Sequence, residues 1–175
     1  MRHPAHLSEG GSAALIQLIG PAEVCDWPGM LTDELHSSTA VAAESSCLLV
    51  WEKPLLTNLF DRHPVLYRNA LRILARRQRE LAERYREFSA LRVPQRLARA
   101  LLRLASPNGR WLEDGGLNEI PLSRKDLAHI VGTTLFTVSR LLSDWEGHGI
   151  IETRRECVRV EKPLSLAAIG RFPGP

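Results

Sequence analysis

The side chains best suited to chemistry in this sequence lie on and just before a predicted helix that ends near Trp145. Hydroxyl and guanidinium groups near helix N-termini donate hydrogen bonds to phosphate oxygens. Ser123, Arg124, Thr134 and Thr137 are therefore predicted to contact a phosphate backbone. The full exposed face of the helix is expected to comprise Thr134, Leu135, Phe136, Thr137, Ser139, Arg140 and Ser143.

Two short amphipathic helices separated by one glycine would position these side chains. Ser123 with Asp126 three residues later resembles a capping box, which starts the first helix. Gly132 ends that helix, and Thr133 or Thr134 caps the next. The buried stripe of the second helix, at the spacing i, i+3, i+4, i+7, is Val138, Leu141, Leu142 and Trp145. A supporting helix, a glycine turn and a helix with a polar outer face form the layout of a DNA-reading helix-turn-helix.

Two helices and a glycine also occur in helical domains that bind no DNA, so the residues that follow are informative. Gly149 closes the second helix, residues 150–152 (IIE) are typical of a strand, and residues 153–156 (TRRE) form a polar turn. Residues 157–160 (CVRV) alternate like a second strand, and residues 163–169 are expected to add a last short helix. A hairpin after a recognition helix is a wing. Arg154 and Arg155 at its tip are predicted to lie near a phosphate backbone.

Residues 120–160, with VGTT, TVSRLLSDWE and GII, resemble the C-terminal DNA-binding domain of the Crp–Fnr family of bacterial transcription regulators. Residues 92–105 (RVPQRLARALLRLA) resemble the family's hinge and the first helix of that domain. Residues 36–64 resemble the last strands of its cyclic-nucleotide-binding-like β-roll and the entry to its dimer helix. The resemblance implies an α+β fold: a partial antiparallel β-roll as sensor (residues 1–62), a long dimerisation helix (63–91) and a C-terminal winged helix-turn-helix (92–175).

The resemblance also implies roles for the first turns of the recognition helix. Arg140 stands where the family has its second base-reading arginine, whose expected contact is guanine O6 and N7. Many members carry an Arg-Glu pair where this chain has Leu135 and Phe136. That departure removes one guanine reader and one cytosine reader, so the family's usual half-sites do not transfer. Leu135 or Phe136 could instead contact a thymine methyl group, or Phe136 could complete the hydrophobic core.

The N-terminal third predicts only a few short strands, at residues 14–19, 38–43 and 47–51, with residues 1–12 as a tail or loop. They are too few to close a roll, so the sequence predicts a roll shortened at its N-terminus by a misplaced start, by natural truncation or because the chain is a fragment. The family's effector positions are matched by Cys25-Asp26 and His36-Ser37. Asp26 could still accept a hydrogen bond from a hydroxyl group, and Ser37 is the residue that the family has at this position.

Cyclic AMP is nevertheless not expected as the effector. His36 cannot replace arginine as a permanent bidentate phosphate clamp. Leu81 and Ala82, which match the family's adenine contacts, offer no hydrogen bond. We expect the roll to bind a different effector or none.

No cofactor, metal or catalytic site is predicted. Iron–sulfur sensing needs a cysteine cluster, and Cys25, Cys47 and Cys157 are too widely spaced for one. Haem would need an axial ligand, for which His36, Cys25 and Cys47 qualify only by residue type, and Cys47 is expected in the core. The sequence contains no GxSxG, P-loop or HExxH motif, so an enzyme is disfavoured.

A helix from Pro64 to about Ser89 is predicted to form the dimer seam. A spacing of 3, 4, 3, 4, 3 is the a/d rhythm of a coiled coil. The alternative is that the stripe packs on its own roll, but a helix of about 25 residues spans nearly 40 Å, too long for so small a roll to cover. Pro94 marks a hinge, and an effector would act through hinge geometry at residues 92–94. The seam residues are Leu71, Leu74, Gln78, Leu81, Tyr85 and Phe88.

Composition and charge are compatible with a cytoplasmic nucleic-acid-binding protein. The net charge is +3, yet residues 63–104 carry eleven Arg and three Glu whereas residues 105–175 carry nine basic and nine acidic side chains. No run reaches the length of a membrane span, and no signal peptide opens the chain. The expected function is a homodimeric transcription regulator on a palindromic operator, with double-stranded DNA as partner and RNA polymerase as a further candidate. The alternative is a truncated, non-sensing interaction protein that dimerises without reading DNA.

Overall fold

The computed structural model describes residues 4–7, 13–15, 19, 23–25, 39–40, 42, 45–105, 120, 122–154 and 157–171. The chain divides into two compact units, Met1–Tyr85 and Arg86–Pro175. Among the described residues, no helix is long and apolar enough to cross a membrane.

A small antiparallel sheet lies in the N-terminal unit. Its strands β1 (Pro4–Leu7), β2 (Ala13–Leu15) and β3 (Thr39–Ala40) follow the order β2-β1-β3. Ala5 faces Leu15 in one ladder and Thr39 in the other. The prediction of a tail at residues 1–12 is wrong at β1, which is the central strand. Its sequence, PAHL, has no apolar–polar alternation, so only pairing with distant residues makes it a strand.

The predicted strand at residues 47–51 is also wrong. These residues have no regular secondary structure, and Cys47, which we expected in the core, is exposed. β-propensity describes how well a side chain fits a half-buried pleated surface, and none of the described strands pairs with this segment. Its apolar side chains remain in contact with solvent within the single chain.

Two helices complete the N-terminal unit. Helix α1 (Lys53–Arg62), which the sequence analysis did not predict, has a proline in its first turn, where the missing N–H costs nothing. Phe60 of α1 packs with Ala70 of helix α2 (Val65–Ala90) in a small apolar core. Leu56, Leu66, Ile73 and Leu74 pack against that core. The predicted long helix from Pro64 to Ser89 is confirmed by α2.

The C-terminal unit contains the rest of the fold. Helix α3 (Val93–Ala105) follows a break at Leu91 and Arg92, with Pro94 in its first turn. It is followed by helices α4 (Arg124–Val131) and α5 (Leu135–Gly147), strands β4 (Ile151–Arg154) and β5 (Cys157–Val160), and helix α6 (Pro163–Ile169). Helix α3 packs against α4, β5 and α6.

One core unites these elements because each contributes an apolar side chain at its own helical or strand period. Leu97 and Leu101 of α3 are fully buried and lie four residues apart on one face. The other large, fully buried side chains of the core are Ile120, Leu127, Val138, Leu142, Ile151, Val160 and Leu166. The fold is α+β, as predicted, with a small antiparallel sheet, a long helix and a C-terminal helix-turn-helix followed by a hairpin.

Candidate nucleic-acid interface

The supporting helix α4 begins with the predicted capping box. The Ser123 hydroxyl accepts a hydrogen bond from the Asp126 backbone N–H at 3.1 Å, and the Asp126 carboxylate accepts from the Ser123 N–H at 3.1 Å. The same carboxylate lies 2.6 Å from the Ser123 hydroxyl oxygen. Such a cap contributes about 1 kcal/mol to helix stability. The Ser123 hydroxyl therefore already contacts both the N–H and the carboxylate of Asp126. Its main role is to cap α4, and a phosphate would compete with these contacts.

The turn between the two helices depends on Gly132. Its φ is 66°, in the left-handed region that favours glycine. Two residues later, Thr134 is the N-cap of α5, and its hydroxyl accepts from the Thr137 N–H at 3.2 Å. The two threonine hydroxyls are also 2.9 Å apart. The turn therefore starts α5 at a fixed point and leaves both hydroxyls at its N-terminal end.

Helix α5 has the two faces expected from its sequence. Val138 and Leu142 are fully buried and Trp145 is 4% exposed, whereas Leu141 is only half-buried. On the opposite face Thr134, Leu135, Phe136 and Arg140 are exposed, and Thr137 and Ser139 are half-buried.

The exposure of Phe136 decides which of its two predicted roles is possible. Its side chain is 77% exposed, so it does not complete the hydrophobic core. Leu135 beside it is 51% exposed. A protein that exposes adjacent large apolar side chains on the first turn of a helix leaves them available to a partner.

The hairpin after α5 is held to both helices by a short polar network. Thr153 of β4 donates to the Glu146 carboxylate through its N–H at 2.7 Å and through its hydroxyl at 2.8 Å. These hydrogen bonds stabilise the charged carboxylate and lower the pKa of Glu146. Arg124 of α4 approaches the Thr153 hydroxyl at 3.5 Å. The network fixes the position of the wing relative to α4 and α5.

The wing differs slightly from the sequence prediction. We expected the turn to start at Thr153, but β4 continues to Arg154, which faces Cys157 in the ladder. Arg154 is exposed and forms an ion pair with Glu152 at 3.1 Å. Arg155, predicted beside it, lies outside the described residues. Strand β5 coincides with the predicted residues 157–160.

A groove of about 570 Å³ lies between the start of α4, the start of α5 and the wing. Leu135, Arg124 and Arg154 all contribute to its wall. Lys125 also lines the groove, although the sequence analysis did not select it; its place beside Arg124 in the first turn of α4 was the available signal. Among the residues that the structure describes, no carboxylate belongs to the lining of this groove. Its chemistry suits a phosphodiester backbone.

The predicted dimer stripe on α2 is largely exposed within one chain. Leu71 is 65% exposed, Leu81 67%, Tyr85 75% and Phe88 59%, and Gln78 is also exposed. Leu74 differs, because it packs against the core around Phe60. The effector positions Asp26, His36 and Ser37 lie outside the described residues.

Residues 95–169 match the family model of the Crp-like helix-turn-helix domain. This part of the chain is therefore a Crp-like helix-turn-helix domain. The resemblance predicted from the motifs of residues 120–160 is confirmed. The match covers helices α3 to α6, which are the elements that position the groove and the outer face of α5.

Two proteins that match most of the chain are transcription regulators. The chain is 29% identical to the transcriptional regulatory protein btr of Bordetella pertussis over 152 residues, 85% of this chain and 62% of that protein. It is 26% identical to the transcriptional activator protein FnrA of Stutzerimonas stutzeri over 165 residues, 93% of this chain and 66% of the relative. The chain thus spans less than two thirds of the length of both.

Solved structures show the same fold. A CRP-family transcriptional regulator from Thermus thermophilus superposes with a TM-score of 0.76 at 20% identity, covering 96% of this chain and 82% of that one. FixK2 from Bradyrhizobium japonicum gives a TM-score of 0.68 at 17% identity, with 98% and 84% covered. The chain therefore shares its fold with these two proteins.

Proposed function

We propose that this protein is a sequence-specific DNA-binding transcription regulator that acts as a homodimer on an inverted-repeat operator. The observation that carries the proposal is the outer face of α5, where Phe136 and Arg140 are exposed. The groove that begins at Leu135 includes Arg124, Lys125 and Arg154 in its lining. An α-helix of this kind fits the major groove of B-DNA, where every base pair presents a distinct pattern of contacts.

Base reading is assigned to three side chains of α5. Arg140 is exposed and its guanidinium can bind guanine O6 and N7 in a bidentate contact. Leu135 and Phe136 offer only apolar surface, for which the thymine methyl group is the complementary feature of the major groove. We therefore expect a half-site that contains both a guanine and a thymine-rich element. Ser139, half-buried beside Arg140, is a lesser candidate.

Phosphate contacts are assigned to the groove and to the threonine hydroxyls. Arg124, Lys125 and Arg154 surround the groove, and Thr134 and Thr137 lie at the N-terminus of α5, where the helix dipole favours an anion. Arg155 is a further candidate from its sequence position. These contacts would fix the orientation of the domain on DNA without reading its sequence.

Dimerisation is assigned to α2. Its exposed apolar side chains recur at the 3, 4 spacing of a coiled-coil seam, and a second copy of the same helix would cover them. Gln78 would be a polar seam position that fixes the register. Two-fold symmetry would then place one α5 in each of two successive major grooves.

The remaining assignments concern partners and effectors. We expect a bacterial cytoplasmic setting, a non-catalytic role and RNA polymerase as a further candidate partner. Cyclic AMP is not proposed as a ligand, although Asp26 and Ser37 are compatible with it, because His36 replaces the phosphate-binding arginine and Leu81 and Ala82 offer no hydrogen bond. Haem and an iron–sulfur cluster are not proposed because the cysteines are widely spaced. The alternative function, an interaction protein that dimerises without reading DNA, would use the same α2 stripe but not the exposed face of α5.

Selection of binding sites from random duplex DNA tests the proposal directly. We expect an enriched inverted repeat whose affinity falls with salt at a log–log slope of about −0.9 for each phosphate neutralised. Light scattering with and without the selected duplex should show a dimer in both states. A dimer that enriches no sequence would refute DNA reading and favour the interaction protein.

A further inference from the structure

Glu87 is the only buried charged side chain among the residues that the structure describes, at 3% exposure. Its carboxylate accepts hydrogen bonds from Arg99 Nε at 2.6 Å and from Arg103 Nη1 at 2.8 Å. A buried carboxylate is costly unless it is paired and hydrogen-bonded, and here two cations compensate it. Because Glu87 is on the last turn of α2 and both arginines are on α3, the cluster joins the two helices across the break at residues 91–92.

Phe88, the next residue of α2, contacts the helix-turn-helix itself. A Cβ atom at Gly132 would lie 2.9 Å from Cζ of the Phe88 ring, so the ring rests directly on the glycine turn. The Arg96 guanidinium stacks on the same ring, 4.6 Å from its centroid. Arg96 also donates to the carbonyl oxygens of Val131 at 3.1 Å and Leu91 at 2.9 Å. The end of α2 is thereby bound to the C-terminus of α4.

We propose that these contacts form a clasp, defined by Glu87, Phe88, Arg96, Arg99 and Arg103, that sets the spacing between the half-sites this protein accepts. The proposal rests on the proposed function, that is, on a dimer that reads an inverted repeat through α5. In this proposal Glu87 is a positioning residue. Glu87 contacts no DNA, but its ion pairs attach the last turn of α2 to the helix-turn-helix domain.

The consequence for spacing follows from the geometry of DNA. Half-sites read by a dimer lie about 34–36 Å apart, one helical turn of about 10.5 base pairs. Adding one base pair therefore rotates one half-site by about 34° and shifts it by about 3.4 Å relative to the other. A helix-turn-helix domain clasped to the dimer helix cannot follow that change, whereas a domain on a free hinge at residues 91–92 can.

The test compares full-length Glu87→Gln with Glu80→Gln as the matched control. Glu80 is an exposed carboxylate on the same helix, paired with Arg76 at 3.8 Å, so its loss removes equal charge without touching the clasp. Each protein is titrated against the selected operator and against versions with one or two base pairs added or removed between the half-sites. We expect Glu87→Gln to reduce the ratio of affinities between the best and next-best spacing at least about fivefold, and Glu80→Gln to leave it unchanged.

A second variant keeps the test decisive if Glu87→Gln does not fold. Arg103→Gln leaves the Arg99 partner of Glu87 in place, so it should reduce the same ratio to a smaller extent. A role in stability alone would weaken binding to every spacing equally and leave the ratio unchanged. An unchanged ratio in a folded variant, or a wild-type protein indifferent to spacing, would overturn the proposal.

Hydrogen exchange without DNA separates failure of the clasp from failure of DNA reading. The Leu91 amide donates to the Glu87 carbonyl at 2.9 Å and should exchange faster in Glu87→Gln than in Glu80→Gln. If the wild-type protein selects no DNA, the proposed function fails, and the spacing claim fails with it. Faster exchange would then still establish the clasp, and equal exchange in both variants would refute the clasp as well.

Discussion

Replacing Gly132 by alanine should destabilise the C-terminal unit through two separable effects. The first is backbone strain, because φ is 66° and the left-handed conformation costs a residue with a Cβ atom about 1–2 kcal/mol. The second is overlap with the Phe88 ring, whose Cζ would lie 2.9 Å from the new Cβ. Displacing the ring also gives up its contact with Arg96, worth about 0.5–1 kcal/mol at an exposed site.

Gly149 provides the matched control for the first effect. Its φ is 62°, but the nearest atom to an added Cβ is the end of the Lys162 side chain at 3.4 Å, an ordinary contact. Gly149→Ala should therefore cost about 1–2 kcal/mol from strain alone. Gly132→Ala should cost about 1 kcal/mol more than Gly149→Ala, the low end of the range for overpacking, since the 59% exposed ring can move.

Unfolding measured by hydrogen exchange in α5, with thermal melting beside it, reports on this unit. For a domain of this size, 1 kcal/mol corresponds to roughly 4–8 °C in Tm. In a Phe88→Ala background the overlap is absent, and Gly132→Ala should then cost no more than Gly149→Ala. Equal costs for the two glycine substitutions in the otherwise wild-type protein would refute the contact between Phe88 and the turn.

Three further predictions concern the interface. Arg140→Ala should weaken specific DNA binding by about 1–3 kcal/mol and relax base selectivity in competition titrations, whereas Arg79→Ala on α2 should not; an unchanged site preference would remove Arg140 from base reading. Thr134→Ala should lower the free energy of unfolding of the C-terminal unit by about 1 kcal/mol in urea titration, because α5 loses its N-cap, and no change would show that the cap is dispensable. Since the pKa of Glu146 is lowered from 4.5 by the hydrogen bonds from Thr153, its contribution to stability is present above pH 4.5 and is lost as pH falls through the lowered pKa. Glu146→Gln should flatten that part of the stability–pH profile, and identical profiles would contradict the network.

Much of the structure of the C-terminal unit could be predicted, because the sequence patterns that determine it are local. The capping box spans four residues, the glycine turn is one residue, and the buried stripe of Val138, Leu142 and Trp145 repeats within one helix. Each of these patterns acts over about one or two helical turns, where backbone hydrogen bonding and helical period decide the outcome. Strand β5 and helix α6 have the predicted bounds for the same reason.

The errors occurred where pairing with another segment decides whether a strand forms. Strand β1 forms by pairing with β2 and β3, and its sequence, PAHL, contains no pattern that predicts this pairing. Residues 47–51 have strand-like composition but pair with no described strand. In both cases, long-range backbone pairing determines the structure more than the propensity of the segment itself.

The winged helix-turn-helix and the exposed face of α5 could be predicted from the sequence, because both depend on periodicity and capping within short segments. The exposure of Phe136 and the contacts of Phe88 and Glu87 depend on the tertiary structure. Phe136 could have been core or surface, and packing leaves it 77% exposed. Phe88 continued the 3, 4 rhythm of the predicted seam, yet its ring rests on Gly132. Glu87 was one of three glutamates in an arginine-rich stretch, and its pairing with Arg99 and Arg103 arises only where the break after α2 brings two helices together. Such contacts cross a change in chain direction, which no helical or strand period encodes.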